Sequence, residues 1–249
     1  DFWLRAYRKP ALAIVMLQVS APGAVFTAGA AGPVEVVPAK SIPELVQALA
    51  HQKPRERWTA AETLGKKGEA AAEAAPQLVA ALSDRDVDVR CAAARALGQI
   101  GGAITAIAAQ ATPELLRLLT SDSDGGVRWG AAEALGNLGP VAACALPALL
   151  AALEDDEEDV RGGAAGALGK LAQRGLAAAP SVPGLVRLLA DEEWHVRRAA
   201  AEALGRCGAV ALPAEPALRK ALTDEHPRVM RTAQAALDSI LGQPAPCSA

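Results

Sequence analysis

The residues of this chain that could do chemistry are few and regularly placed. Four aspartates each precede an arginine by six residues: Asp84 and Arg90, Asp122 and Arg128, Asp155 and Arg161, Asp191 and Arg197. Arg57 and Asp224 extend the two series at either end. A carboxylate beside a guanidinium can hold a ligand, but one that recurs along the whole chain points to architecture instead. The four cysteines (Cys91, Cys144, Cys207, Cys247) match no zinc or redox spacing and imply no disulfide framework. The three histidines (His51, His195, His226) are far apart, and none belongs to a metal-ligand pair. The densest charge cluster runs from Glu154 to Asp159. It could attract a basic partner or a cation, but it reads first as a solvated turn whose acids favour the helix that follows. No nucleophile–base–acid set and no glycine-rich phosphate loop is legible, so no catalytic residue, metal or cofactor is assigned.

The elements that position these residues follow from an internal repeat. A leucine followed by glycine recurs at Leu64, Leu97, Leu135, Leu168 and Leu204, and again at Leu237, where Asp238 replaces the glycine. The spacings are 33, 38, 33, 36 and 33 residues. Thirteen residues before each anchor leucine stands an aspartate, except His51 in the first repeat. Seven before stands an arginine, except Met230 in the last. Valine stands eight before in five repeats, and a proline opens each unit: Pro43, Pro76, Pro113, Pro147, Pro183 and Pro216.

Each unit reads as two helices. The first starts with proline in its first turn, where a missing N–H costs nothing. The aspartate lies in the turn between helices, where it can accept from backbone N–H groups. The glycine after the anchor suits either a tight helix exit or close packing. Alanine makes up about a quarter of the 249 residues and aromatics only 3%, which favours closely packed helices. One unit cannot bury its apolar faces alone, whereas six stacked units share a core.

The segments Asp84–Gly98 (DRDVDVRCAAARALG) and Asp191–Gly205 (DEEWHVRRAAAEALG) closely resemble HEAT-like repeats of the phycobilisome-lyase type. The resemblance covers about residues 41–241 and implies an all-α solenoid, a superhelix of about six two-helix repeats. It also implies an arginine ladder, bonding turn carboxylates and carbonyls within and between repeats, made by Asp84, Arg90, Asp122, Arg128, Asp155, Arg161, Asp191 and Arg197. It further places the second helices on the concave face.

Within the second helix, positions nine, six and two before the anchor and two after it share one helical face. The row six before the anchor is the most informative: Trp58, Cys91, Trp129, Gly162, Arg198 and Arg231. With Glu202 from the row two before, these residues form a candidate groove, since Trp and Arg are enriched at binding hot spots. The alternative is that each tryptophan merely fills space above a small neighbour. Trp194, ten before its anchor, falls at the turn edge.

The expected function is therefore a non-enzymatic scaffold with a protein partner. The family resemblance adds an alternative, a bilin lyase or chromophore-handling subunit binding a tetrapyrrole, with Arg198 and Arg231 near its propionates and Cys91 or His195 near its rings. A di-iron hydroxylase of the HEAT-like kind needs several His-Glu pairs, and none occurs. Nucleic acid is not an expected partner: the net charge is −3, and Glu62, Asp88, Glu133 and Asp159 interrupt the groove's basic residues.

Residues 1–40 differ from the rest. Arg5, Arg8 and Lys9 precede a charge-free stretch from Pro10 to Val34, strongest at Ala11–Val19, with a small-residue exit at Ala28–Ala30. This reads as a signal-like segment, with a membrane anchor through residues 11–30 or an N-terminal cap as alternatives, followed by a linker. A signal peptide or anchor would favour a secreted, periplasmic, organellar or membrane-attached location over the cytoplasm. Residues 242–249 form a C-terminal tail.

Overall fold

The computed structural model describes residues 40–242, which belong to a compact unit beginning at Lys40. The segment 1–39, with its signal or anchor reading, and the tail from residue 243 lie outside the described residues. Twelve α-helices form six pairs, and no strand occurs among the described residues. The first helices of the pairs are α1 (Ile42–Ala48), α3 (Ala75–Ala81), α5 (Thr105–Ser121), α7 (Leu146–Ala151), α9 (Ala178–Leu188) and α11 (Glu215–Ala221). The second helices are α2 (Pro54–Lys67), α4 (Val87–Gly101), α6 (Gly125–Leu138), α8 (Glu158–Gln173), α10 (Trp194–Cys207) and α12 (Pro227–Leu241). The fold is an all-α repeat solenoid.

Successive second helices pack side by side along their lengths, and successive first helices touch far less. The array therefore curves toward its second helices, which form the concave layer. The anchor leucines from Leu64 to Leu204 are fully buried between the layers. Alanine accounts for the tight second-helix layer. Ala96, Ala134, Ala167, Ala203 and Ala236, each one residue before an anchor, face the glycine that follows the preceding anchor. A Cβ on Gly65, Gly98, Gly136, Gly169 or Gly205 would lie 2.6–3.0 Å from the Cα of that alanine. These glycines are close-packing residues inside their helices. The helix exits use other glycines: Gly68, Gly139 and Gly208, each at positive φ just past α2, α6 and α10.

The short and the long repeat spacings have separate structural causes. Where anchors are 33 residues apart, the exit glycine leads into a 3₁₀ turn (Gly68–Ala74, Gly139–Ala145 or Gly208–Ala214) and then a first helix with proline in its first turn. Where they are 38 or 36 apart, the first helix starts earlier, and Pro113 and Pro183 fall inside α5 and α9. This corrects the expectation that every unit's proline opens its helix. An internal proline leaves the carbonyl four residues back without its usual donor. Ala109 and Ala179, which carry those carbonyls, are exposed residues, where solvent can stand in for the missing donor.

Candidate functional site

The repeated acids and bases form a continuous ladder along the inter-helix turns. Arg128 donates through Nη1 to the Asp122 carbonyl of its own repeat at 3.0 Å. Through Nε and Nη2 it donates to both Asp155 carboxylate oxygens of the next repeat, at 2.9 and 2.7 Å. The pairs Arg57–Asp84, Arg90–Asp122, Arg161–Asp191 and Arg197–Asp224 repeat this fork at 2.7–3.0 Å. Carbonyl bonds thus run within a repeat and carboxylate bonds between repeats. Each aspartate also accepts from the N–H two residues on, closing an Asx turn, as Asp155 does from Glu157 at 3.0 Å.

The ladder's electrostatics follow from these contacts. Burial alone would raise the Asp155 carboxyl, but the Arg128 fork, the Glu157 N–H and nearby arginines outweigh it and hold the group below the usual carboxylate range. Asp84, Asp122 and Asp191 show the same balance. For Asp224 the Arg197 bonds are the largest influence and act in the same direction. With each carboxylate gripped twice by arginine and once by backbone, the ladder fastens repeats together. The two sequence exceptions fall in the outermost described repeats, with His51 in place of an accepting aspartate and Met230 in place of a donating arginine.

The second set of side chains lies on the concave layer. None of the residues nine, six and two before the anchors, or two after them, is buried, while the flanking alanines and valines are. Trp58 is 41% exposed. Trp129 is half-buried, its ring held over Gly163 of the next repeat on one side and 5.6 Å from the Arg95 guanidinium on the other. Cys91 is half-buried, and its Sγ donates to the Gly126 carbonyl at 3.4 Å. Burial pushes its thiol up to about 11, so it remains protonated at neutral pH. Arg198 and Arg206 both donate to Glu202, at 3.3 and 2.6 Å, and Arg231 is exposed.

The six groove candidates thus share one continuous face without converging on one point. Two features escaped the sequence reading. Arg95 bridges Glu62 at 3.2 Å and Glu133 at 3.6 Å, linking three repeats across the concave face. The alternation Glu62, Arg95, Glu133 in one row was the available signal. At the turn edge, Trp194 stacks on His226 with ring centroids 4.0 Å apart. Lys170 donates to the Asn137 side chain at 2.8 Å, and burial lowers its pKa from the usual lysine value. Among the described residues no cluster of His, Cys, Asp and Glu is arranged to hold a metal ion.

Comparison with known proteins places this geometry in context. A family model described as HEAT repeats matches residues 42–136, 75–169 and 182–249. Among solved structures, an engineered protein is 28% identical with a TM-score of 0.64, over 82% of this chain and 98% of that one. A designed armadillo repeat protein in complex with the peptide (KR)4 is 25% identical with a TM-score of 0.62, over 81% of this chain and 100% of that one. The complex of CpcE and CpcF of phycocyanin lyase from Nostoc sp. PCC7120 matches at 25% identity and a TM-score of 0.62, over 86% of this chain and 82% of that one. No curated protein sequence matches significantly.

Proposed function

We propose, since the chain belongs to the HEAT-repeat family, that it is a non-enzymatic scaffold holding a protein partner along its concave face. One observation carries this reading. The ladder, the anchor leucines and the facing glycines and alanines recur almost unchanged, whereas the accessible concave row runs Trp58, Cys91, Trp129, Gly162, Arg198, Arg231. Packing accounts for the constant columns. It does not require an exposed tryptophan at one end and an exposed arginine at the other. Repeat proteins of this fold take peptides and protein partners, as the designed armadillo protein with its bound peptide illustrates.

The likeness to the phycocyanin lyase complex supports a second reading, tetrapyrrole handling, with Arg198 and Arg231 available to propionates. Burial raises the Cys91 thiol to about 11 and its Sγ donates to the Gly126 carbonyl, which disfavours a thiolate nucleophile at this position.

Affinity capture from source cells tests both readings, using the full chain beside a Trp58→Ala/Arg231→Ala variant, with bound species identified by mass and absorbance. Both residues are exposed, so the variant keeps the wild-type thermal melt. A protein partner held by the wild type and lost with the variant is the expected result. A partner held equally by both overturns the groove. A coloured tetrapyrrole retained on the chain shifts the assignment to the second reading.

A further inference from the structure

The charge of the concave face is divided unevenly between its halves. In the first three repeats, Arg55, Lys66 and Arg95 are matched by Glu62, Asp88 and Glu133. In the last three, Lys170, Arg198, Arg206, Arg228 and Arg231 face only Asp159 and Glu202. Glu202 takes its shorter bond from Arg206, leaving Arg198 a single contact at 3.3 Å. Arg231 makes one 3.4 Å bond, to the Pro227 carbonyl of its own helix. Arg228 lies 5.6 Å from the Trp194 ring and makes no ion pair among the described residues.

Between the two halves the face is notched. Helix α8 presents Gly162 and Gly166, one turn apart, where its neighbours present Trp129 with Glu133 and Arg198 with Glu202. A Cβ on Gly166 would meet nothing within 4 Å, and one on Gly162 only Val196 and His195, at 3.9 and 4.0 Å. In the same row of the preceding repeat stands Trp129, its Cδ1–Nε1 edge packed over Gly163 and its ring 5.6 Å from the Arg95 guanidinium. On the side of the following repeat stand His195, nearest to Gly162, and Arg198 in the same row.

We propose that the C-terminal half of the concave face docks an acidic peptide segment of a partner protein, with one aromatic side chain in the Gly162/Gly166 notch against Trp129 and carboxylates on Arg198 and Arg231. The proposal rests on the scaffold reading and gives its partner a chemistry. Packed helices stand roughly 8–10 Å apart, and an extended chain advances about 3.3 Å per residue. Successive repeats are therefore about three residues apart along the peptide, which predicts an aromatic residue followed by acids at the third and sixth positions after it. Arginine forks favour carboxylates, and complementary charge sets the specificity. The neighbouring turns carry Asp156, Glu157, Glu192, Glu193 and Glu225, all exposed, which repel a continuous polyanion but leave room for a short segment with spaced acids.

Fluorescence anisotropy tests this with the full chain and a fluorescein-labelled peptide of sequence GSFSGESGEG. The controls are the same peptide with lysine for glutamate, the same peptide with alanine for phenylalanine, and a labelled oligo-dT. The acidic peptide should bind and the lysine peptide should not. Arg231→Glu should weaken binding about tenfold or more. Gly166→Leu should erase the advantage of phenylalanine over alanine while dependence on glutamate remains. Circular dichroism confirms that both variants keep the wild-type helicity. Equal binding of the acidic and lysine peptides overturns the proposal, as does oligo-dT binding as tightly with the same loss in Arg231→Glu. If the acidic peptide fails while a captured protein partner still depends on Trp58 and Arg231, the acidic specificity falls and the scaffold reading stands. If that dependence fails as well, both fall.

Discussion

Gly136 lies so close to Ala167 of the next repeat that a Cβ on the glycine would fall 2.6 Å from the alanine Cα and 2.8 Å from its Cβ. The obstacle is backbone, which cannot swing aside. Gly136→Ala should therefore force α6 and α8 apart and destabilise the solenoid by about 1–3 kcal/mol. A Cβ on Gly166, on the same layer, would meet nothing within 4 Å, so Gly166→Ala should stabilise by about 0.5–1 kcal/mol through helix propensity alone. Urea unfolding of the two variants gives opposite signs if the packing is as described, and equal shifts would contradict it.

Breaking one rung of the ladder should cost more than its exposed counterparts. Arg128→Met leaves the Asp155 carboxylate without its fork and the Asp122 carbonyl without a donor. We expect a loss of about 2–3 kcal/mol in chemical denaturation. Arg117→Met, which removes an exposed pair with Glu114, should change stability by less than about 1 kcal/mol.

The ladder also sets the acid limit of the fold. The ladder carboxyls are held below their ordinary pKa, so protons bind more readily to the unfolded chain. Their stabilising contribution is complete above the unfolded aspartate value of about 3.9 and is lost as pH falls through the lower folded values. Thermal melts should be nearly independent of this group between about pH 5 and pH 7, then drop steeply below about pH 4. Replacing Asp155 with Asn should lower stability at neutral pH and make the acid drop shallower. An unchanged slope would remove the ladder as its cause.

The two concave tryptophans should separate on stability. Trp129 is packed between Arg95 and Gly163, so Trp129→Ala should destabilise by about 1–3 kcal/mol. Trp58 is 41% exposed, and Trp58→Ala should stay within about 0.5 kcal/mol of wild type while still weakening a groove partner. Differential scanning calorimetry beside a binding assay distinguishes the two roles.

Thiol labelling reports the same packing. Burial pushes the thiols of Cys91 and Cys207 up to about 11, whereas Cys144 is exposed. Iodoacetamide at pH 7.5, a condition chosen to keep thiols of ordinary pKa partly ionised, should alkylate Cys144 well before Cys91 or Cys207. Peptide mapping by mass that found Cys91 modified as fast as Cys144 would contradict the shielded, protonated thiol.

The solenoid and its ladder were legible because each depends on one residue type at a fixed distance from an anchor. A leucine that must fill the space between layers, or an arginine that must reach the next turn, recurs with the repeat. The links between repeats were less legible. Pro113 and Pro183 read like the other prolines, but the helix around each had already begun, and solvent at Ala109 and Ala179 permits that. Lateral contacts were hidden for another reason. The bridges from Arg95 to Glu62 and Glu133, and the seat of Trp129 over Gly163, join positions 33 to 38 residues apart. They become neighbours only once the repeats are stacked in register. The open space above Gly166 has no signature in its own helix, because it is created by what the adjacent helices do not send toward it.

The one-way reach of the ladder has a consequence for how copies of this molecule meet. An object whose leading edge fits its own trailing edge can concatenate without limit, and stacked repeats are such objects by construction. Here the edge that would donate presents Met230 in place of arginine, and Asp238 where the inner repeats have a glycine. The edge that would accept presents His51 in place of aspartate. Wherever a face carrying Met230 meets a face carrying His51, neither the fork nor the glycine contact that joins the inner repeats can form. The interface chemistry that propagates the array from Arg57 to Asp224 is absent from that pairing.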